Sequence, residues 1–219
     1  MPETPATADG NQYGIRGKAA AAPQHQRPKP GERRVQILQA LAGMLEQPGG
    51  ERITTAALAA KLQVSEAALY RHFASKAQMF EALIDFIEQS VFTLINQISA
   101  GNNDSGRHQA AQMVTMLLRF CEKNPGMTRV MVGDALVLEH VRLLERINLF
   151  FDKFEAALKQ CLRLDDITGD SLTPSVDLAT RTAVLGAFSL GRMQRYARSN
   201  FKRRPTEQLD ACLLLLLSR

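Results

Sequence analysis

Apolar residues recur at spacings of three and four along most of this chain, the period of helices that bury one face. The first run, 32–46, has Val35, Leu38, Leu41, Ala42 and Leu45 as its expected core face and stops at Pro48-Gly49-Gly50. Two short helices follow. Thr54 or Thr55 caps one at 55–62, with Leu58 and Leu62 four residues apart, and Gln63-Val64 makes a turn. Ser65 caps the next, which runs to about 72 with small Ala67 and Ala68 in its first turn and Leu69 and Phe73 facing inward. Ser75 opens a long helix at 76–99 whose expected stripe is Phe80, Ile84, Ile87, Val91, Leu94, Ile95 and Ile98. Phe86 and Phe92 fall about 120° to either side of that stripe, so each lies under a neighbouring helix or faces a partner.

The second half continues in the same period. A helix at 108–123 carries Met113, Met116, Leu117 and Phe120, and Asn124-Pro125-Gly126 reads as a stop. A stretch at 127–138 precedes a helix at 139–164 with Leu143, Ile147, Phe150, Phe151, Phe154 and Leu158 on one broad face. A polar loop at 165–174 leads to two last helices, 174–199 and 206–218. In the first of these, Val184, Leu185, Phe188, Leu190 and Met193 mix with small Gly186, Ala187 and Gly191, a surface that allows close helix approach. No strand alternation is sustained. The expected fold is all-α: an N-terminal three-helix unit at 32–76 and a larger helical domain at 77–219.

Composition refines this picture. Residues 1–31 are rich in Pro, Ala, Gly, Gln and Thr and read as a disordered tail, basic toward its end, that either follows DNA or merely solubilises the chain. The 219 residues are 45% hydrophobic with a formal net charge of +5, enough for a real core and a modest bias toward polyanionic partners. Cys121, Cys161 and Cys212 are odd in number and far apart, as in a reduced cytoplasmic protein. His25, His72, His108 and His140 are scattered, so neither a metal nor another cofactor is expected. No apolar run reaches the roughly 18 residues of a membrane span, and the N-terminus has no secretion signal. No phosphate loop, HExxH or nucleophile elbow is present, so an enzyme is not expected.

The stretch 52–76 carries the chemistry. Two short helices joined by a tight turn present the second to a DNA major groove. Four cations, Arg52, Lys61, Arg71 and Lys76, stand against Glu66 alone. Thr54 and Lys76 are expected to hold the DNA backbone, and Ser65, Glu66, Ala68, Tyr70, Arg71 and His72 to lie at the groove. The bland alternative is a helical hairpin with a solvated charged face. Arg192, Arg195, Arg198, Lys202, Arg203 and Arg204 form a second basic cluster, for which a nearby helix C-terminus is a sufficient reason.

The residues ITTAALAAKLQVSEAALYRHFASKAQMFEALI resemble the TetR family of bacterial DNA-binding proteins, whose hallmark ending is matched by Tyr70, His72, Phe73, Ser75 and Lys76. ALIDFIEQS, NPGMTR and SNFKRRPT extend the likeness toward the nucleoid occlusion members of that family, from about residue 31 onward. The resemblance implies a TetR-like homodimer, its interface around Val184, Phe188 and Gly191. It also implies double-stranded palindromic DNA sites, occupied by a dimer or a dimer of dimers, and a cytoplasmic, nucleoid-associated location. It further implies that the C-terminal tail of the division protein FtsZ docks between the fourth and fifth helices, at Phe86, Met116, Lys123 and Asn124. Leu94 and Arg119 depart from that pattern, which has an arginine and a glycine there. The alternative within the family is a ligand-responsive transcriptional repressor.

Overall fold

A computed structural model describes residues 31–48, 52–101, 105–166 and 174–218, with backbone alone at 164–166 and 174–176. The expected tail and most of the loop at 165–174 lie outside the described residues, as do Gly49, Gly50 and 102–104. Among the described residues every regular element is helical: α1 Glu32–Leu45, α2 Thr55–Leu62, α3 Glu66–Tyr70, α4 Lys76–Ser99, α5 Gly106–Lys123, α6 Pro125–Met131, α7 Val141–Asp166, α8 Pro174–Arg198 and α9 Leu209–Leu217. A 3-10 turn at Asp134–Leu136 separates α6 from α7.

Side-chain caps set the starts of α2 to α5. Thr54, Ser65, Ser75 and Ser105 each accept from the backbone N–H three residues on, at 3.1–3.2 Å. Gln63 ends α2 in the left-handed region (φ 55, ψ 43), where its N–H bonds back to Ala59 and Ala60. That conformation, adopted here by a non-glycine residue, turns the chain toward α3.

The structure corrects several sequence expectations. In α1 the buried face is Ile37, Leu41, Ala42 and Leu45, while Val35 is exposed. Val35 and Ile37 lie about 200° apart around the helix, so only one can face the core. Leu94 is not in the α4 core stripe: it is 38% exposed, and Met79 and Leu83 are buried instead. The two off-stripe aromatics part ways. Phe92 packs edge-on against Phe150 of α7 at 5.5 Å, whereas Phe86 is 49% exposed.

Asn124-Pro125-Gly126 ends α5 at Lys123, as expected, and at once opens α6. Pro125 occupies the first turn of α6, where its missing N–H costs nothing. α6 ends at Met131, so the helical stretch expected at 127–138 resolves into a short helix and a 3-10 turn. The last helix starts later than expected, at Leu209 rather than residue 206.

α4, α5, α7 and α8 pack around Met113, Leu117, Phe150, Phe154 and Leu185, all buried. An ion-pair ladder joins α4 to α7: Arg142 with Glu81 at 2.7 Å, Arg146 with Asp85 at 2.7 Å and Glu88 at 3.0 Å, and Lys153 with Glu88. The Lys153 hydrogen bond is the largest influence on Glu88 and, aided by Arg146, holds its carboxyl below the usual range against the opposing effect of burial. Burial pushes the Cys121 thiol up to about 12 and raises that of Cys161.

Candidate nucleic-acid interface and partner groove

The helix-turn-helix is held from behind. Leu58, Leu69 and Phe73 are buried, which turns the other face of α3 outward. Ser65, Glu66, Tyr70 and Arg71 are exposed there, and Ala68 and His72 are half-buried at its margin. Thr54 is exposed at the start of α2. The eight residues expected at DNA therefore lie on the turn, α3 and the two helix starts that flank it.

Two of these side chains are already engaged. Glu66 accepts from the Thr55 hydroxyl at 2.6 Å, which fastens the start of α3 to the start of α2. That bond aims the carboxylate along the protein surface. Lys76, the first residue of α4, pairs with Glu139 just ahead of α7 and lies 5.7 Å from the centre of the Phe80 ring. A phosphate at Lys76 has to compete with Glu139.

Arg34, in the first turn of α1, is a contributor from outside the motif at 52–76. Its guanidinium stacks 4.1 Å from the centre of the Phe73 ring and donates to the His72 carbonyl. It thus ties α1 to the end of the reading helix. The available signal was a cation two turns ahead of the α1 core residue Leu41, but its target was not readable without the fold.

A groove of about 930 Å³ opens on the opposite half of α4. Leu94 and Ile98 of α4, Met116, Phe120 and Lys123 of α5, and Asn124 line it, together with Leu213, Leu214 and Leu217 of α9. The structure thus brings Met116, Lys123 and Asn124 together, with Leu94 and Arg119 beside them, but leaves Phe86 outside the lining. The α9 wall was not expected. Its signal was the spacing of Leu209, Leu213 and Leu217, buried in the structure, within a leucine run that leaves Leu214 and Leu215 exposed. Arg107 and Arg119 add positive charge to the rim, against Asp210. Chemically the groove is apolar at its floor and cationic at its edge, suited to an extended or helical peptide with acidic and apolar side chains.

α8 has two faces. Leu178, Thr182, Leu185, Ser189, Met193 and Tyr196 are buried against the rest of the chain. Val184 is 42% exposed on the other face, Phe188 is half-buried under Arg192, and Gly191 has open space around it. Leu185 and Met193, expected to share one broad apolar surface with Val184, therefore belong to the inner face. Among the described residues no helix is long and apolar enough to cross a membrane.

Comparisons with known proteins agree with this architecture. Residues 37–83 match the model of the tetR family of bacterial regulatory proteins, and residues 108–219 match the SlmA-like model of the tetracyclin repressor-like C-terminal domain. The nucleoid occlusion factor SlmA of Alteromonas mediterranea is 50% identical over 178 residues, 81% of this chain and 90% of that one. SlmA of Idiomarina loihiensis is 49% identical over 82% of this chain and 90% of its own. Among solved structures, the fatty acid degradation regulator FadR from Bacillus halodurans superposes with a TM-score of 0.70 at 16% identity, covering 87% of this chain and 97% of that one. FadR from Bacillus subtilis, solved with stearoyl-CoA, gives a TM-score of 0.67 at 14% identity over 84% of this chain and 97% of its own. At those identities the structures speak to the fold, whereas the sequence relatives speak to the kind of protein. The chain belongs to the SlmA family of nucleoid occlusion factors, DNA-binding members of the tetR family of bacterial regulatory proteins and not enzymes.

Proposed function

We propose that this protein binds palindromic chromosomal sites as a homodimer in the cytoplasm and, while bound there, antagonises FtsZ assembly by holding the FtsZ C-terminal tail in the α4–α5–α9 groove. Thr54, Ser65, Ala68, Tyr70, Arg71, His72 and Lys76 make the DNA contacts, and Glu66 orients α3 through Thr55. Two dimers on one site remain compatible with this arrangement.

The observation that carries the reading is the placement of α4. Its first residue, Lys76, adjoins the reading helix, and its last two turns form one wall of the groove. The helix has 24 residues, a rod of about 36 Å, so one rigid element spans both surfaces. Met116 and Phe120 take an apolar side chain of the tail, and Lys123 and Arg119 take its acids. Phe86, outside the lining, contributes only if the tail runs along α4 beyond the groove.

The test uses FtsZ co-sedimentation with and without cognate duplex, and a tail-peptide titration of Lys123→Asp and Met116→Ala. Both variants should lose peptide binding and keep DNA binding. Tyr70→Ala with Lys76→Ala should weaken binding to every duplex and flatten the salt dependence by about one unit per lost phosphate contact. A wild-type protein that binds its duplex and never binds FtsZ would transfer the case to the ligand-responsive repressor.

A further inference from the structure

The basic cluster at the end of α8 is built into a cavity. Arg192, Arg195, Arg203 and Arg204 line a space of about 220 Å³ with Glu207 and Gln208. Arg195 and Arg203 also line an adjoining recess of about 450 Å³ that includes Arg198. Five arginines thus line two recesses that share Arg195 and Arg203, with Glu207 the one acidic residue in their linings. Among the described residues the Glu207 carboxylate makes no ion pair with them, and its contact to Arg192 runs through the backbone carbonyl. Arg204 reaches Glu122 only at 3.6 Å while remaining largely exposed. Among the described residues no carboxylate pairs with Arg195, Arg198 or Arg203.

A favourable helix C-terminus explains cations here but not two further observations. Arg192 has a buried Nε with no hydrogen-bond partner, while its Nη2 donates to the Glu207 carbonyl and lies 3.5 Å from Cys212 Sγ. Buried N–H groups are nearly always paired, so an open one is uncommon. The loop that supplies Arg203 and Arg204 is also held in an uncommon conformation. Asn200 and Phe201 both adopt positive φ, 48° and 62°, as does Gln208 at 51°. Such strain persists only where surroundings enforce it. Phe201 is clamped between the Tyr196 ring at 5.1 Å and the Arg129 guanidinium at 5.0 Å. Arg129 also donates to Asn200 at 3.2 Å, and Ser199 Oγ accepts from the backbone N–H of Lys202 and Arg203. These contacts fix the loop and present its cations to the cavity.

We propose that this cavity is an anion site for a compact ligand carrying two phosphoryl groups, either inorganic pyrophosphate or the diphosphate of a nucleotide. Planar guanidinium forks match phosphoryl oxygens two at a time, and Arg192, Arg195 and Arg203 are enough for two groups. The joined recesses give room for the second phosphoryl and for a substituent beyond it. The site lies away from α3, and its larger recess includes Gly191 of the α8 face proposed for the dimer, so it is read on the dimer rather than on a lone chain.

The full chain would be titrated calorimetrically with sodium pyrophosphate, ADP and, at matched ionic strength, sodium chloride. The expected result is saturable binding of one pyrophosphate per chain, lost at least tenfold in Arg195→Gln/Arg203→Gln and retained in Lys159→Gln/Arg163→Gln, which removes two exposed charges on α7. Tighter ADP than pyrophosphate binding would name the nucleotide as source, and the reverse order the free anion. No saturable pyrophosphate or ADP heat, or equal loss in Lys159→Gln/Arg163→Gln, would overturn the site. Two other outcomes would also overturn it in the absence of anion binding. A double variant that becomes monomeric in sedimentation would assign these arginines to a second copy of the chain. One with a reduced salt slope on duplex would assign them to the DNA backbone.

Discussion

Gly126 sits where α6 crosses α1, and Gly126→Ala tests how the reading head is held to the body of the protein. A Cβ built at Gly126 would stand 2.0 Å from the Ala42 carbonyl oxygen and 2.9 Å from its carbon. Even a close C–H···O contact needs about 3.3 Å, so the two backbones must separate by roughly 1.3 Å. No rotamer change relieves this, because the obstacle is main chain. Overpacking costs about 1–3 kcal/mol where side chains can adjust, and a backbone clash belongs at the upper end, about 3 kcal/mol. For a chain of this size that lowers the melting temperature by about 6–12 °C. α1 also packs on α2 and carries Arg34, so the displaced helix should move α3 and weaken duplex binding. The control is Gly43→Ala in α1, where an added Cβ meets nothing within 4 Å. That variant should gain about 0.5–1 kcal/mol from helix propensity and reduced unfolded-state entropy. The assay is thermal unfolding by circular dichroism alongside duplex binding by fluorescence anisotropy. A Gly126→Ala protein that melts with the wild type and binds DNA equally would refute the close α1–α6 contact.

Val184→Asp should convert the proposed dimer to monomer in sedimentation, since a buried unpaired carboxylate costs several kcal/mol in order of magnitude; Phe188→Asp is the poorer probe because Arg192 stands over that ring and would pair with the new acid. Glu88→Gln should reduce stability near neutrality. The Glu88 carboxyl is depressed on folding, so its contribution is present above the unfolded value and lost as pH falls through the lower folded one. Acid titrations of wild type and variant should therefore run parallel down to about pH 4 and converge below it, and curves that stay parallel as the pH falls further would refute the role of the Lys153 and Arg146 contacts. Thiol labelling of the folded chain should modify half-buried Cys212 first and spare Cys121, whose thiol sits at about 12; simultaneous labelling would contradict its burial.

The helices, their caps and the helix-turn-helix were readable in the sequence because those features are local. Ser65 and Ser75 need only the backbone three residues away, and the period of Leu69 and Phe73 alone marks the inner face of α3. What period could not decide was which of two plausible faces a neighbour covers. Phe86 and Phe92 are equally far off the α4 stripe, and α7 covers only Phe92. Val184 and Leu185 are adjacent, and packing sends one outward and the other into the core. Asn124-Pro125-Gly126 ends one helix as its composition says, and only the fold makes Gly126 the point where two backbones meet. The partners of Arg34 and Lys76, and the α9 wall of the groove, likewise join residues far apart in sequence. A charge or a leucine specifies what it can bind, but the direction it faces is set by the sum of packing over the whole chain, which no local window contains.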